Sequence, residues 1–306
     1  MLRFIVVRIL QTIPVLLIVA TLTFLMVRLA PGNPFDTERA TTPEIRKRLE
    51  EHYGRDKSLP HQYFAFMQNI ILHGDFGPST KYPNRRVNEL ILEAFPVSLE
   101  LGCYAISIAL FLGLIAGVIA SLRPNTLTDY IPMSLAMVGI CLPTFVIGPL
   151  LILIFGLVLG WFNASGWFFP SDRVLPALTM GGFYGAYVAR LSRGGMLEIL
   201  NQDFIRTARA KGASEKRVIL KHALQGGLLP VISFLGPAVA GIVTGSFVVE
   251  TIFQIPGLGR HFVTAAFNRD DGMILGTVIF YAALIITLNL IVDVIQVWLN
   301  PKLKFE

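Results

Sequence analysis

The spacing of its charges constrains this chain more than any other feature. Five intervals run without Asp, Glu, Lys or Arg: Ile9–Val27, Leu101–Leu122, Tyr130–Ser171 (apolar as far as Leu159), His222–Val249, and Gly272–Val292, which continues through Asp293 towards Trp298. A hydrocarbon core of about 30 Å takes about 20 helical residues, so each interval reads as a transmembrane helix. A sixth, Val174–Ala189, has only 16 residues and holds Pro176, Gly181, Gly182 and Gly185. It is counted as a span, with a re-entrant element as the alternative. Charged residues are 15% of the chain and hydrophobic ones 54%, against roughly 25% charged in soluble domains. The expected fold class is therefore an all-α polytopic membrane protein with six transmembrane helices.

Orientation follows from the basic loops. Between Arg190 and Lys221 there are eight Lys or Arg residues against three acids, a net of +5, which directs this loop to the cytoplasm. Six spans then put both termini inside, in keeping with Arg3, Arg8, Lys302 and Lys304. The segment Pro31–Phe95 falls outside; its nine basic residues are balanced by nine acidic ones, and long loops cross regardless of charge. It reads as a small folded insertion, with a helix starting at Thr42-Pro43-Glu44 and an apolar stripe of Tyr63, Phe64, Phe66, Ile70, Ile71 and Leu72 able to pack on membrane helices. The division is 1–30, first span; 31–95, extracytoplasmic insertion; 96–299, five-helix core with a cytoplasmic loop 190–227; 300–306, cytoplasmic tail. The first span exceeds a signal-peptide apolar region and lacks a small-residue cleavage site, so it reads as retained.

The chemistry available is sparse. The histidines, His52, His61, His73, His222 and His261, map to loops or span edges, and no His-Glu-x-x-His pair occurs. Cys103 and Cys141 sit in apolar runs and build neither a disulfide framework nor a metal site. The dipeptide Gly-Lys never occurs, which removes the phosphate-binding loop. The expectation is no catalytic residue, no metal, no cofactor and no nucleotide site. The net charge of +6 is not massed into one stripe, so nucleic acid is not an expected partner.

Among intramembrane polar groups, Asn289 and Asp293 share one face of the last span, either as an interhelical pair or as a path lining. Glu100, near Ser98, is expected to complement the N-terminus of the second span. Arg28 is expected to snorkel to the headgroups. The pairs Gly113/Gly117, Gly156/Gly160, Gly181/Gly185 and Gly241/Gly245 predict close helix packing within the chain, and Pro132, Pro143 and Pro149 predict kinks in the third span. In the basic loop, Asp203 is expected to cap a helix over Phe204–Lys211, Gly212 to stop it in the left-handed conformation, and Ser214 to cap a second helix from Glu215 to about Leu224. Phe204, Thr207, Ala208 and Lys211 then share a face, with Arg206 and Arg209 beside it, suited to a partner's groove or to anionic lipid.

The stretch Phe204-Ile205-Arg206-Thr207-Ala208-Arg209-Ala210-Lys211-Gly212, followed by His222-Ala223-Leu224, resembles the ATPase-contacting loop of permease subunits of ATP-binding-cassette importers. Four further stretches resemble the peptide-import branch of that family, and within it the B-type permeases of oligopeptide importers: Arg28-Leu29-Ala30-Pro31-Gly32-Asn33-Pro34; Gly74-Asp75-Phe76-Gly77; Arg190 to Glu198; and Val249 to Gly259. The loop opens Arg206-Thr207-Ala208 where the wider family has Glu-Ala-Ala, and ends His222-Ala223-Leu224-Gln225 without the wider family's proline. Asn300-Pro301 stands where the branch often has Asp-Pro.

The resemblance implies a type I importer permease fold in the bacterial cytoplasmic membrane. It implies Arg206, Thr207, Ala208, Arg209, Lys211 and Gly212 as the ATPase-coupling residues. The implied partners are a second homologous permease, two ATP-binding subunits, an extracytoplasmic peptide-binding protein and a short-peptide substrate. The alternatives are dipeptides, glutathione, nickel chelates or cell-wall peptides within the same family, or an ion-gradient-driven carrier from another class.

Overall fold

The computed structural model describes residues 2–31 and 43–299. Among them the chain is built of helices: α1 (Leu2–Leu29), α2 (Pro43–His52), α3 (Leu59–His73), α4 (Val87–Leu122), α5 (Leu127–Cys141), α6 (Thr144–Leu151), α7 (Val174–Leu200), α8 (Asp203–Ala210), α9 (Glu215–Arg217), α10 (Leu224–Gly227), α11 (Leu229–Gly245), α12 (Phe247–Ile252), α13 (Leu258–Asn268) and α14 (Asp271–Leu299). A π-helical stretch, Ile152–Val158, continues α6, and another, Val218–Ala223, joins α9 to α10. Residues 32–34 of the first family stretch, Thr42 and the tail 300–306 lie outside the described residues.

Among the described residues four segments are long and apolar enough to cross a bilayer: Leu10–Leu29, Val87–Leu122, Leu229–Ile252 and Asp271–Val294. Leu127–Cys141 and Thr144–Val158, bent by 110°, form a fifth if taken as one span. The bend falls at Leu142-Pro143, where proline supplies no N–H and pushes its predecessor into extended backbone; Leu142 has φ −88° and ψ 121°. Pro132 and Pro149 lie inside α5 and α6 and do not break them. The interval 174–189 lies in α7, whose 27 residues also hold Arg190, Arg193 and Glu198.

The chain divides into two compact units, Met1–Ser98 with Pro256–Leu290, and Leu99–Ile255 with Ile291–Glu306. In the first, α3 seats on α1: Phe24 is buried, and Tyr63 and Phe66 meet its ring at 5.4 and 5.9 Å. The rest of the expected stripe divides, since Phe64, Ile71 and Leu72 are exposed. Threonines in α1 satisfy their hydroxyls internally, Thr12, Thr21 and Thr23 donating to the carbonyls of Arg8, Leu17 and Val19. A core of Val87, Leu90, Ile91, Leu258, Ala265 and Met273, with Phe76 against it, joins α4, α13 and α14.

Arg28 does not snorkel. It donates to Asp271 at 3.2 Å and is mostly buried, because a carboxylate 243 residues away is a better partner than the headgroup layer. Asp270, also buried, accepts from the Thr80 N–H at 3.0 Å and from the Ser79 hydroxyl, which ties the loop after α3 to the start of α14.

In the second unit α4 and α7 approach through small residues on both sides. A Cβ on Gly113 would lie 2.6 Å from the Gly185 carbonyl, one on Gly117 would overlap Ser192 Oγ and the Ala189 carbonyl, and one on Gly181 would lie 2.8 Å from the Ala105 carbonyl. The expected packing role of these two glycine pairs is met within the chain. Gly156/Gly160 is not such a face: the helix stops at Val158, Gly160 lies beyond it, and Gly156 abuts Ala164 of the following loop.

Glu100 does not sit at a helix start either. α4 begins at Val87, and Glu100 lies within the helix, paired with Arg173 at 3.0 Å and accepting from Trp167 Nε1 at 3.3 Å. Ser98 accepts the Leu258 N–H at 2.9 Å.

Replacing Gly117 by valine forces backbone apart at the α4–α7 contact and is expected to destabilise the protein by about 2 kcal/mol or more, read as a lower melting temperature in detergent. Gly182→Ala, where an added Cβ meets nothing within 4 Å, should leave melting unchanged or slightly raised.

Candidate functional site

The most chemically distinctive surface grows from the end of α7. Arg193, inside the Arg190–Glu198 stretch, forms two bonds of 2.6 Å to the carboxylate of Asp129, which is 2% exposed and also accepts the Asn125 N–H at 3.0 Å. A two-point guanidinium–carboxylate pair fixes orientation as well as distance. It locks the start of α5 against α7, about two turns before α7 ends at Leu200.

After two intervening residues, Asn201 and Gln202, the chain begins α8. Gln202, not Asp203, is the residue before the first helical turn, and it makes no side-chain cap; Asp203 is inside the helix and pairs at 3.6 Å with Arg206. The stop is as expected. Gly212 has φ +81°, its N–H bonds the Arg209 carbonyl at 2.9 Å, and the Ala213 N–H bonds the Ala208 carbonyl at 3.2 Å, the paired-bond ending that favours glycine. Ser214 occupies the position before α9 but its hydroxyl does not cap it. The second helix runs on past Leu224 to Gly227, changing from α to π and back.

α8 is held by one side chain that the periodicity reading passed over. Ile205 is fully buried, packed with Met196, Val218 and Ala223, while Ala208 lies partly against the same cluster. Phe204, Arg206, Thr207, Arg209 and Lys211 are exposed. The face expected to dock is thus split: Ala208 turns inward with Ile205, and Phe204, Thr207 and Lys211 remain outward. Ile205 is one of only two large apolar residues in α8, and the choice between it and Phe204 depends on where the helix packs, which local spacing does not encode.

The arginine at 209 bridges to Glu215 through two bonds, 2.8 and 3.2 Å. The bond to Glu215 holds the Arg209 guanidinium above its ordinary value, and the same bond draws the Glu215 carboxyl below the usual range. The exposed Phe204 borders a groove of about 1120 Å³ lined also by Leu220, Lys221, Leu224, Gln225 and Ile232. A rigid, short, basic helix beside an open groove can bind a partner; it holds no nucleophile–base pair.

Asn289 and Asp293 sit four residues apart on α14, Asn289 exposed and Asp293 half-buried. Glu250, within the stretch from Val249 to Gly259, is fully buried and accepts the Ser246 hydroxyl at 2.6 Å, a placement the sequence reading did not single out.

The comparisons with known proteins agree over the whole chain. Residues 109–305 match the family described as binding-protein-dependent transport system inner membrane component, and residues 1–102 match the N-terminal region of that membrane component. The chain is 46% identical over 307 aligned residues, the full length of both, to the oligopeptide transport system permease protein OppB of Haemophilus influenzae, and equally to that of Escherichia coli K12. It is 45% identical to the dipeptide transport system permease protein DppB of Bacillus subtilis, covering 95% of this chain and 94% of that one.

Among solved structures, an inward-facing MetNI methionine ABC transporter aligns with a TM-score of 0.59 at 16% identity, covering 69% of this chain and 96% of that one. An amino acid ABC transporter aligns with a TM-score of 0.52 at 18% identity, covering 71% and 95%. The likeness to these two identifies the fold as that of ABC importer permeases. With this helical architecture and matches over residues 1–102 and 109–305, the chain belongs to the family of binding-protein-dependent transport system inner membrane components.

Proposed function

We propose that this chain is a permease subunit of an ATP-driven importer that moves short peptides across the bacterial cytoplasmic membrane. The observation that carries the peptide reading is the 46% identity over full length to oligopeptide permease proteins. Dipeptides are the nearest second substrate, supported by the similarity to a dipeptide permease protein.

In this reading α7 completes a set of six spans, both termini face the cytoplasm, and residues 31–95 form an extracytoplasmic insertion available to a peptide-binding protein. A second, homologous permease completes the path. Two ATP-binding subunits hydrolyse the nucleotide, and this subunit performs no catalysis. The docking element is α8 with its glycine stop: Arg206, Thr207, Ala208, Arg209, Lys211 and Gly212. Closure of the ATPase on nucleotide moves α8, and α7 carries the displacement into the membrane, exchanging inward- and outward-open arrangements. The fixed seat of Ile205 supports this, because a lever transmits motion only if its attachment is stiff. Asn289 and Asp293 are candidates for the path.

Affinity purification of the tagged protein from its native membrane is expected to recover a second permease and ATPase subunits. Recovery of the chain alone, moving solute on an ion gradient, would replace this reading with a self-sufficient carrier. Gly212→Val places a β-branched residue at positive φ and removes the helix stop; peptide uptake per ATP hydrolysed should fall severalfold or the complex should fail to assemble, and full coupling in an intact complex would exclude α8 as the docking element.

Ile205→Ala, a buried truncation worth about 2–4 kcal/mol locally, should lower uptake more than it lowers ATPase activity in the assembled importer. Asp293→Asn should change the uptake rate at equal expression if the charge serves gating; an unchanged rate assigns it to packing.

A further inference from the structure

The charge-free interval Tyr130–Ser171 outlasts its helices, since the π-helical stretch stops at Val158 and only the short turn Pro170–Arg173 leads into α7. Five of the twelve residues 160–171 are aromatic: Trp161, Phe162, Trp167, Phe168 and Phe169. Neither the docking segment nor the glycine contacts make use of them.

A loop in water turns its charges outward and its rings inward. This one is reversed. Asp172 is 4% exposed and the Arg173 side chain 19%, whereas Phe168 is 87%, Trp161 65% and Phe169 62% exposed. The inner charges hold the backbone from which the rings project. Asp172 accepts the N–H groups of Phe168 and Phe169 at 2.8 and 2.9 Å and the Asn163 amide at 2.7 Å. Arg173 donates to the Phe169 carbonyl at 2.7 Å, stands 4.5 Å from the Trp167 ring and pairs with Glu100. The Gly166 N–H bonds the Phe253 carbonyl at 2.9 Å, a further tie to the body of the unit. Charge-assisted bonds of this length fix the loop with its rings outside.

The two tryptophans divide in the same way. Trp167 turns its indole N–H inward to Glu100 at 3.3 Å. Trp161 rests one side on Phe155, at 5.7 Å, and its indole N–H has no hydrogen-bond partner among the described residues. Exposed apolar surface runs into this loop directly from the bent helix pair, where Leu153, Ile154, Leu157, Val158 and Leu159 are exposed. Asn163 and Ser165 are exposed as well, polar but without charge. That mixture suits the boundary between headgroups and hydrocarbon, where rings with one polar edge collect.

We propose that residues 159–169 are seated in the lipid interface, on the outer leaflet in the topology given above, as an aromatic wedge clamped from within by Asp172 and Arg173. The occupant of this surface is the bilayer, because the apolar surface of the helix pair continues into the loop without an intervening charge. The inference needs the chain to span a membrane but not to carry peptides, so it stands apart from the transport reading.

The test uses the full-length protein with Cys103 and Cys141, both exposed, replaced by alanine, and with a nitroxide label on Phe168→Cys. Electron paramagnetic resonance reads collisions of the label with oxygen, which concentrates in lipid, and with a water-soluble nickel chelate. The chain is measured alone in phosphatidylcholine nanodiscs and again in the assembled importer. Lys216→Cys, labelled in the same background at an exposed position of the basic loop, is the water reference. The oxygen-to-nickel ratio at position 168 is expected to be severalfold above the reference in both preparations.

A ratio equal to the reference in the chain alone overturns the proposal, and no partner is needed for that measurement. If the ratio is high in the assembled importer but water-like in the chain alone, another subunit covers the loop and the lipid assignment falls. Asp172→Ala, which removes the acceptor for both phenylalanine N–H groups, should lower the ratio towards the reference. A ratio unchanged in the folded variant overturns the part given to the clamp.

Discussion

Inside hydrocarbon there is no water to expel from between two helices, so what holds them is how closely their backbones fit. The α4–α7 contact is made on that principle. Gly113 and Gly117 on one helix and Gly181 and Gly185 on the other leave no side chain between carbonyl and main chain. Much of the second unit is arranged around α7: α5, α6, α10, α11 and α12 all pack on it. The Arg193–Asp129 pair works at the same helix by a different means, fixing α5 by direction where the glycines fix α4 by proximity. The same helix also carries Met196, against which Ile205 of α8 is packed.

Four of the spans, and the bent pair as a fifth, were legible in the sequence because the cost of an unpaired charge in lipid clears the intervals of Asp, Glu, Lys and Arg. Their ends were not. α4 starts fourteen residues before Leu101, at Val87, because Glu89, Glu93 and Glu100 sit on the helix without leaving it, paired with Arg85 or Arg173. Arg28 and Glu100 were misjudged for one shared reason. Each was weighed against the bilayer or its own helix, whereas each found an opposite charge far along the chain. Long-range pairing is a property of the fold and has no local signature.

The docking segment divides along the same line. Gly212 was legible because a positive φ at a helix stop is a local demand that few residues meet. The role of Ile205 was not, since the helical spacing fits Phe204 equally well and only the position of Met196, Val218 and Ala223 decides between them. The caps assigned to Asp203 and Ser214 failed for a milder reason: both are common capping types, but here the helix begins one residue earlier at one site, and the hydroxyl is not used at the other.

The 110° bend at Leu142-Pro143 also bears on how the chain enters the membrane during synthesis. Each arm, Leu127–Cys141 and Thr144–Val158, has 15 residues, about 22 Å of helix against a hydrocarbon core of about 30 Å. Neither arm matches the bilayer as a straight stop-transfer segment, and the groups exposed at the bend need partners from protein. Both arms pack on α7, which is translated later. The two arms therefore gain this packing partner only after their own synthesis is complete, so their final placement is settled by a helix that follows them in the chain.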